Sequence, residues 1–115
     1  MPPIELSVQR PDYDTVQVTL RGSLDLARAY DFDDEMRRIE RTAPGRMLLD
    51  LRALDFLDTA GLSRLVAVRR RCRRAGRRLV LVRGARPVQQ LFALTMVEEQ
   101  FEVVGDPDEV LAPAQ

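Results

Sequence analysis

The sequence contains no histidine, no lysine and a single cysteine, Cys72. Without histidine and with only one cysteine, the chain cannot build an internal disulfide, a zinc cluster or a Cys-His nucleophilic pair. A lone cysteine in such a chain is most often a small buried hydrophobe, so we expect Cys72 to lie in the core. We therefore expect no redox chemistry, no bound metal and no cofactor.

Long apolar runs are also absent. No run approaches the ~20 residues that a membrane-spanning helix needs, and the N-terminal residues lack the basic start and apolar stretch of a secretory signal. A chain of 115 residues is long enough to bury its own core without disulfides or metals. We expect one domain over residues 1–115, located in the cytoplasm and without membrane contact.

The formal net charge is zero, because 18 acidic residues balance 18 arginines. The charges are nevertheless sorted along the chain, since residues 64–86 contain ten arginines and no acid, and residues 87–115 contain six acids and no base. A basic block of this kind is most often a solvated helix face, but it can also meet an acidic partner surface. The block has no interleaved aromatic residues and the chain has no net positive charge, so we expect no direct nucleic-acid binding.

The spacing of apolar residues predicts five strands and four helices in the order β-β-α-β-α-β-α-β-α. Alternation between Leu6 and Leu20, interrupted by turn residues at 10–14, predicts an antiparallel hairpin. The nearly continuous apolar runs at 47–51 and 79–82 are typical of strands covered on both faces. A short edge strand is expected at 101–104.

The helical segments are recognised by apolar residues three and four positions apart. This spacing predicts helices over 26–41 and about 60–75, and Gly76 is placed to cap the second. Pro87 suits the first turn of a third helix, and residues 106–111 suit a short terminal helix. The fold class is therefore α/β, a small mixed sheet with an antiparallel N-terminal hairpin, parallel strands and helices packed mainly on one face.

The segment between the first buried strand and the second helix carries the clearest functional signal. In open α/β sheets, function collects beyond the carboxyl ends of strands. Capping of the helix by Asp58 and close packing at Gly61 would explain two of its residues, but not Thr59. A threonine at an exposed helix N-terminus presents its hydroxyl to a kinase, and the helix dipole tolerates the added phosphate.

These residues resemble those of the STAS domains, the family of sulfate transporter and anti-sigma factor antagonist domains. The family has a strand ending in Asp-Leu, followed by Phe-(Ile/Leu/Met)-Asp-(Ser/Thr)-(Ser/Ala)-Gly-Leu at the start of a helix. Here Asp50-Leu51 is followed by Phe-Leu-Asp-Thr-Ala-Gly-Leu at 56–62, and the earlier Gly-x-Leu-Asp motif stands at 22–25. The resemblance extends from about residue 4 to residue 111, in the same order of elements.

Three positions depart from the family pattern. Ser23 stands where the family often has Glu, and we expect this change to be neutral. Met96 stands where the family often has Gly, which leaves the end of the third helix open, because Met is disfavoured in the left-handed conformation. Ala60 replaces a second hydroxyl, so Thr59 is the only acceptor in the first two positions after Asp58.

The resemblance implies an anti-sigma factor antagonist with no catalytic machinery of its own. Such a protein binds an anti-sigma factor that is also a Ser/Thr kinase and thereby releases a sigma factor. Phosphorylation of Thr59 would end this binding until a phosphatase removes the group, and Ser63, inside the first turn, is a minor candidate. The chain is expected to be a monomer or weak dimer, and its expected partner-binding residues are Asp25, Asp58, Thr59, Ala60, Gly61, Leu62 and Arg64.

Two alternatives remain open. Some STAS domains are accessory subunits of lipid-transporting ABC systems, which need the interface but no phosphorylation, and a neighbouring kinase or permease gene would decide between the two. The other alternative is an aspartyl-phosphate receiver with Asp50 or Asp58 as the acceptor. It is disfavoured because receivers need an acidic pair near the N-terminus and a lysine, and this chain has no lysine.

Overall fold

The computed structural model describes residues 2–111, which form a mixed sheet of six strands and four α-helices. A 3-10 turn at Leu26–Arg28 precedes the first helix. None of the helices in the described range is long and apolar enough to cross a membrane. The strands are β1 (Glu5–Asp12), β2 (Thr15–Leu24), β3 (Arg46–Asp50), β4 (Leu54–Leu57), β5 (Arg78–Val82) and β6 (Glu102–Val104), and the helices are α1 (Ala29–Glu40), α2 (Thr59–Arg74), α3 (Arg86–Leu94) and α4 (Asp108–Leu111).

The order of strands in the sheet is β1-β2-β3-β5-β6, with β4 paired to β2. β1 and β2 are antiparallel, and all other strand pairs are parallel. The predicted fold class is therefore confirmed, including the N-terminal hairpin and the position of the last strand at the sheet edge. The parallel pairs are joined by helices, as connections between parallel strands require.

The strand β4 was not expected, so the predicted order lacked one element. The sequence shows no clear alternation over its four residues, and a strand this short gives little periodicity to detect. β3 pairs with residues 15–19 of β2, whereas β4 pairs with Gly22, Ser23 and Leu24 farther along the same strand. β4 therefore carries the chain to the carboxyl end of β2, and it sets the point where α2 begins.

The hydrophobic core lies between the sheet and the first three helices. Strand alternation directs Val16, Val18 and Leu20 of β2 into this core, and all three are fully buried. Leu48 and Val80 point to the opposite face of the sheet and are buried as well. On that face, Arg46 donates a hydrogen bond to the carbonyl oxygen of Val110 in α4. The helical residues of the core include Phe32, Met36, Leu65, Val68, Cys72, Val88 and Phe92.

The ends of α2 and α3 share one hydrogen-bond pattern but use different residues. Gly76 follows α2 with a φ of +69°, and the Arg77 N–H donates to the Cys72 carbonyl at 2.8 Å. After α3, Met96 has a φ of +59°, and the Val97 N–H donates to the Phe92 carbonyl at 3.2 Å. The cap predicted at Gly76 is confirmed, and Met96 adopts the left-handed conformation that glycine adopts more easily.

Cys72 lies in the core as predicted, with 1% of its surface exposed. Burial raises the pKa of its thiol, and the nearby Arg77 only partly opposes that shift. Because the thiolate is the reactive form, Cys72 acts here as a small apolar residue.

Candidate functional site

The candidate site lies where β2 and β4 end side by side. Leu24 and Leu57, the last residues of these parallel strands, are paired in register. Asp25 and Asp58 follow directly, so both carboxylates lie at the same end of the sheet, beside the first turn of α2. The β2–β4 pairing brings the two motifs together.

Asp58 joins two structural elements through its carboxylate. One oxygen, Oδ1, accepts the Gly61 N–H at 2.9 Å and so caps α2, as predicted. The other, Oδ2, accepts the Leu26 N–H at 3.1 Å, and Leu26 begins the 3-10 turn before α1. The backbone N–H of Asp58 also donates to the Leu24 carbonyl at 3.3 Å. Asp58 therefore holds the beginnings of both helical segments together.

Gly61 allows α2 to approach the end of β2 closely. A Cβ atom at this position would lie 2.3 Å from the carbonyl oxygen of Leu24 and 2.9 Å from side-chain atoms of Leu24 and Leu57. Leu62 follows in the core with 4% of its surface exposed. Gly61 and Leu62, both predicted to bind the partner, pack α2 against the end of β2 and the core. Leu62 has almost no exposed surface for contact with a partner.

Thr59 is the first residue of α2, and it is exposed. Within residues 2–111 its hydroxyl takes part in no hydrogen bond, whereas the Ser63 hydroxyl donates to the Ala60 carbonyl at 3.0 Å. Ala60 is half-buried and Arg64 is half-buried. Among the hydroxyls of this helix turn, that of Thr59 is the one free to react.

Asp25 caps the 3-10 turn and is already paired. Its Oδ1 accepts the Arg28 N–H at 3.2 Å, and its Oδ2 lies 2.7 Å from Arg28 Nη1. This ion pair compensates much of the negative charge of Asp25. Asp58, next to Thr59 in the sequence, accepts hydrogen bonds from backbone N–H groups and has no arginine partner within residues 2–111.

Two exposed apolar residues near the start of α1 are not part of the predicted site. Leu26 is 69% exposed and Tyr30 is 75% exposed, and the Leu26 backbone is bonded to Asp58. Both residues lie off the apolar stripe of α1, which contains Phe32, Met36 and Ile39. That displacement was the available signal, because an apolar residue off the stripe of an amphipathic helix faces solvent.

Asp50 is one of the two acceptors named for the aspartyl-phosphate receiver. It is buried and hydrogen-bonded to Arg52. It is 3% exposed, and Arg52 donates to it from the backbone N–H, Nε and Nη2 at 2.8–3.0 Å. Among residues 2–111, no three His, Cys, Asp or Glu side chains are grouped as a metal site requires. These contacts favour a role for Asp50 in holding the turn after β3.

One arginine of the basic block, Arg71, is bound within the protein and not solvated. Arg71, with 15% of its side chain exposed, donates to both oxygens of Glu40 at 2.6 and 2.9 Å and to Asp33 at 2.9 Å. Glu40 and Asp33 belong to α1, so this network fixes α1 against α2. At the other end of the two helices, the hydrogen bond from the Leu26 N–H to Asp58 joins the 3-10 turn before α1 to the start of α2.

Comparisons with known proteins concern the family and the fold of this chain. The family model described as the STAS domain matches residues 6–110. An anti-sigma factor antagonist from Mycobacterium paratuberculosis has a similar structure, with 21% sequence identity, a TM-score of 0.79, and coverage of 94% of this chain and 91% of that one.

Two structures of the anti-sigma factor antagonist SpoIIAA, one unphosphorylated and one phosphorylated, are similar to this chain. Its unphosphorylated form has 16% identity and a TM-score of 0.77, with coverage of 96% of this chain and 100% of that one. SpoIIAA of Bacillus in the phosphorylated form has 15% identity and a TM-score of 0.69, with coverage of 92% and 96%. At these identities the likeness establishes the shared fold.

Proposed function

Because this chain belongs to the STAS domain family, we propose that it is an anti-sigma factor antagonist controlled by phosphorylation of Thr59. The observation that carries the proposal is the exposed, unbonded Thr59 hydroxyl at the first position of α2, beside the Asp58 cap. Proteins of similar structure are anti-sigma factor antagonists, and one of them is known in a phosphorylated form. The protein acts by binding, without catalysis of its own.

The partner is an anti-sigma factor that is also a Ser/Thr kinase, and a phosphatase restores the unphosphorylated form in the cytoplasm. Leu26 and Tyr30 form the apolar centre of the binding surface, since exposed apolar residues supply most of the favourable energy at an interface. The polar surroundings of this centre are Asp25, Asp58, Thr59, Ala60 and Arg64. Gly61 and Leu62 contribute by setting the position of α2.

Phosphorylation acts on this surface through charge and size. The phosphate adds about −1.5 to −2 charges beside Asp58, whose carboxylate has no arginine partner among the described residues. A helix N-terminus accommodates an anion, so the antagonist itself keeps its fold. A tenfold loss of partner affinity needs about 1.4 kcal/mol, which one badly placed charge supplies.

The proposal is tested by incubating the protein with its candidate kinase and ATP and locating the phosphate by mass spectrometry. Phosphate is expected on Thr59, and Thr59→Ala should bind the kinase as the parent does but accept none. Thr59→Asp should weaken binding about tenfold or more. Thr95→Asp, the same change at an exposed threonine after α3, is the control and should bind as the parent does.

Three results would count against the proposal. Phosphate on Ser63 with none on Thr59 would place the switch elsewhere. Equal binding by the parent, Thr59→Ala and Thr59→Asp would support an accessory subunit that binds its partner without phosphorylation. A phosphorylated form with widespread backbone shifts by NMR would argue against a local change of charge.

A further inference from the structure

The opposite end of α2 contains a cleft that the Thr59 surface does not use. It has a volume of about 290 Å³ and lies between the C-terminal ends of α1 and α2. α2 has 16 residues, so this end lies about 24 Å along the helix axis from Thr59. We call it the arginine cleft, and its lining residues are Arg37, Glu40, Arg41, Arg71, Ala75 and Arg77.

Two carboxylates at or near the arginine cleft, those of Glu40 and Asp33, are already bound to arginines within the chain. Both oxygens of Glu40 accept hydrogen bonds from Arg71, at 2.6 and 2.9 Å. Asp33 accepts from Arg71 through Oδ1 at 2.9 Å and from Arg37 through Oδ2 at 3.0 Å. These two acids therefore compensate Arg71 and Arg37, and each of their four carboxylate oxygens already accepts a hydrogen bond from one of these two arginines.

Arg41 and Arg77 line the arginine cleft, Arg74 precedes the lining residue Ala75, and none of the three has an acidic partner within residues 2–111. Arg77 donates to the carbonyl oxygens of Pro44 and Glu40, which are not charged. The side chains of Arg41 and Arg74 are exposed and form no hydrogen bond or ion pair with any described residue. Helix dipoles favour single cations at these C-termini, but arginines three positions apart on one helix, such as Arg71 and Arg74, repel each other.

We propose that the arginine cleft binds the carboxylates of an acidic segment of a protein partner. Arg71 already holds Glu40 through two parallel hydrogen bonds, the geometry in which a guanidinium recognises a carboxylate. Carboxylates from a partner would extend this network to Arg41 and Arg74. Nucleic acid fits less well, because no aromatic residue lines the arginine cleft for base stacking.

The test measures binding of fluorescently labelled dodecaglutamate by anisotropy, in about 20 mM salt where exposed charges are weakly screened. The parent should bind it, and more tightly than it binds a labelled single-stranded DNA of 12 nucleotides. The double substitution Arg41→Gln and Arg74→Gln should weaken binding about fivefold. The control is Arg83→Gln with Arg86→Gln, which removes the same charge from two exposed arginines outside the arginine cleft.

Three outcomes would overturn the inference. The first is no binding of dodecaglutamate by the parent, and the second is an equal loss in the control, which would mean attraction by overall charge alone. The third is tighter binding of the DNA, which would identify a nucleic-acid surface. Thr59→Ala should leave dodecaglutamate binding unchanged, so this result is separate from the outcome for the proposed antagonist function.

Discussion

Replacement of Arg71 by methionine should destabilise the fold, because Arg71 is the main polar connection between α1 and α2. The guanidinium makes three hydrogen bonds to Glu40 and Asp33, whose side chains are each 9% exposed. Breaking a fully buried ion pair costs about 3–5 kcal/mol, whereas an exposed pair contributes about 0–1 kcal/mol. Arg71 is 15% exposed and Asp33 keeps Arg37, so we expect a loss of about 2–3 kcal/mol.

The assay is urea unfolding at pH 7, followed by circular dichroism. Arg74→Met is the matched control, since Arg74 is an exposed arginine of the same helix without an ion pair among the described residues. It should change the free energy of unfolding by less than about 0.5 kcal/mol. Unchanged denaturant slopes would show that both variants still unfold in one cooperative step.

The pH dependence gives a second, independent readout. Burial raises the pKa of Asp33, but hydrogen bonds from Arg37 and Arg71 outweigh burial and lower it below the ordinary value of 3.8. A carboxylate with a lowered pKa in the folded state contributes stability that is fully present above its unfolded pKa, and this stability is lost as the pH falls through the folded pKa. The difference between the parent and Arg71→Met should therefore shrink below about pH 4.

The reasoning would be refuted by a loss below about 1 kcal/mol for Arg71→Met, or by an equal loss for Arg74→Met. A difference that grows as the pH falls would have the wrong sign. Because Arg71 keeps α1 beside α2, Arg71→Met should also weaken partner binding through Leu26 and Tyr30.

Two further substitutions test backbone geometry. Gly61→Ala should destabilise the fold by about 1–3 kcal/mol, although alanine favours helix, because its Cβ would lie 2.3 Å from the Leu24 carbonyl oxygen. A higher melting temperature would disprove the close approach. Met96→Gly should stabilise the fold by about 1 kcal/mol, since Met96 has a φ of +59° and its side chain is 80% exposed. A lower midpoint in urea would contradict the strain assigned to Met96.

The element pattern was predictable because it depends on neighbours close in sequence. The apolar spacing of α1 and α2 and the alternation of β2 each identify an element from residues fewer than five positions apart. Gly76 and Asp58 were recognisable as caps for the same reason. The strand β4 was not, because its four residues become a strand only through pairing with β2.

The motif of the candidate site was predictable from the sequence, but the prediction of the surrounding surface was incomplete. The Asp58-Thr59 motif identified the end of the molecule and the free hydroxyl. The exposed pair Leu26 and Tyr30 went unrecognised, although both residues lie outside the apolar stripe of α1. Leu62 was assigned to the partner surface, yet the helix turns it into the core.

The sequence by itself determined the α/β class, the order of nearly all elements, the capping residues and the exposed position of Thr59, because these follow from local periodicity and backbone preference. Only the tertiary structure decided which charges are compensated. Asp58 meets the Leu26 N–H 32 positions away, and Arg71 meets Glu40 and Asp33 31 and 38 positions away. Such partners are set by how helices and strands pack, and a count of charges along the chain does not contain that information.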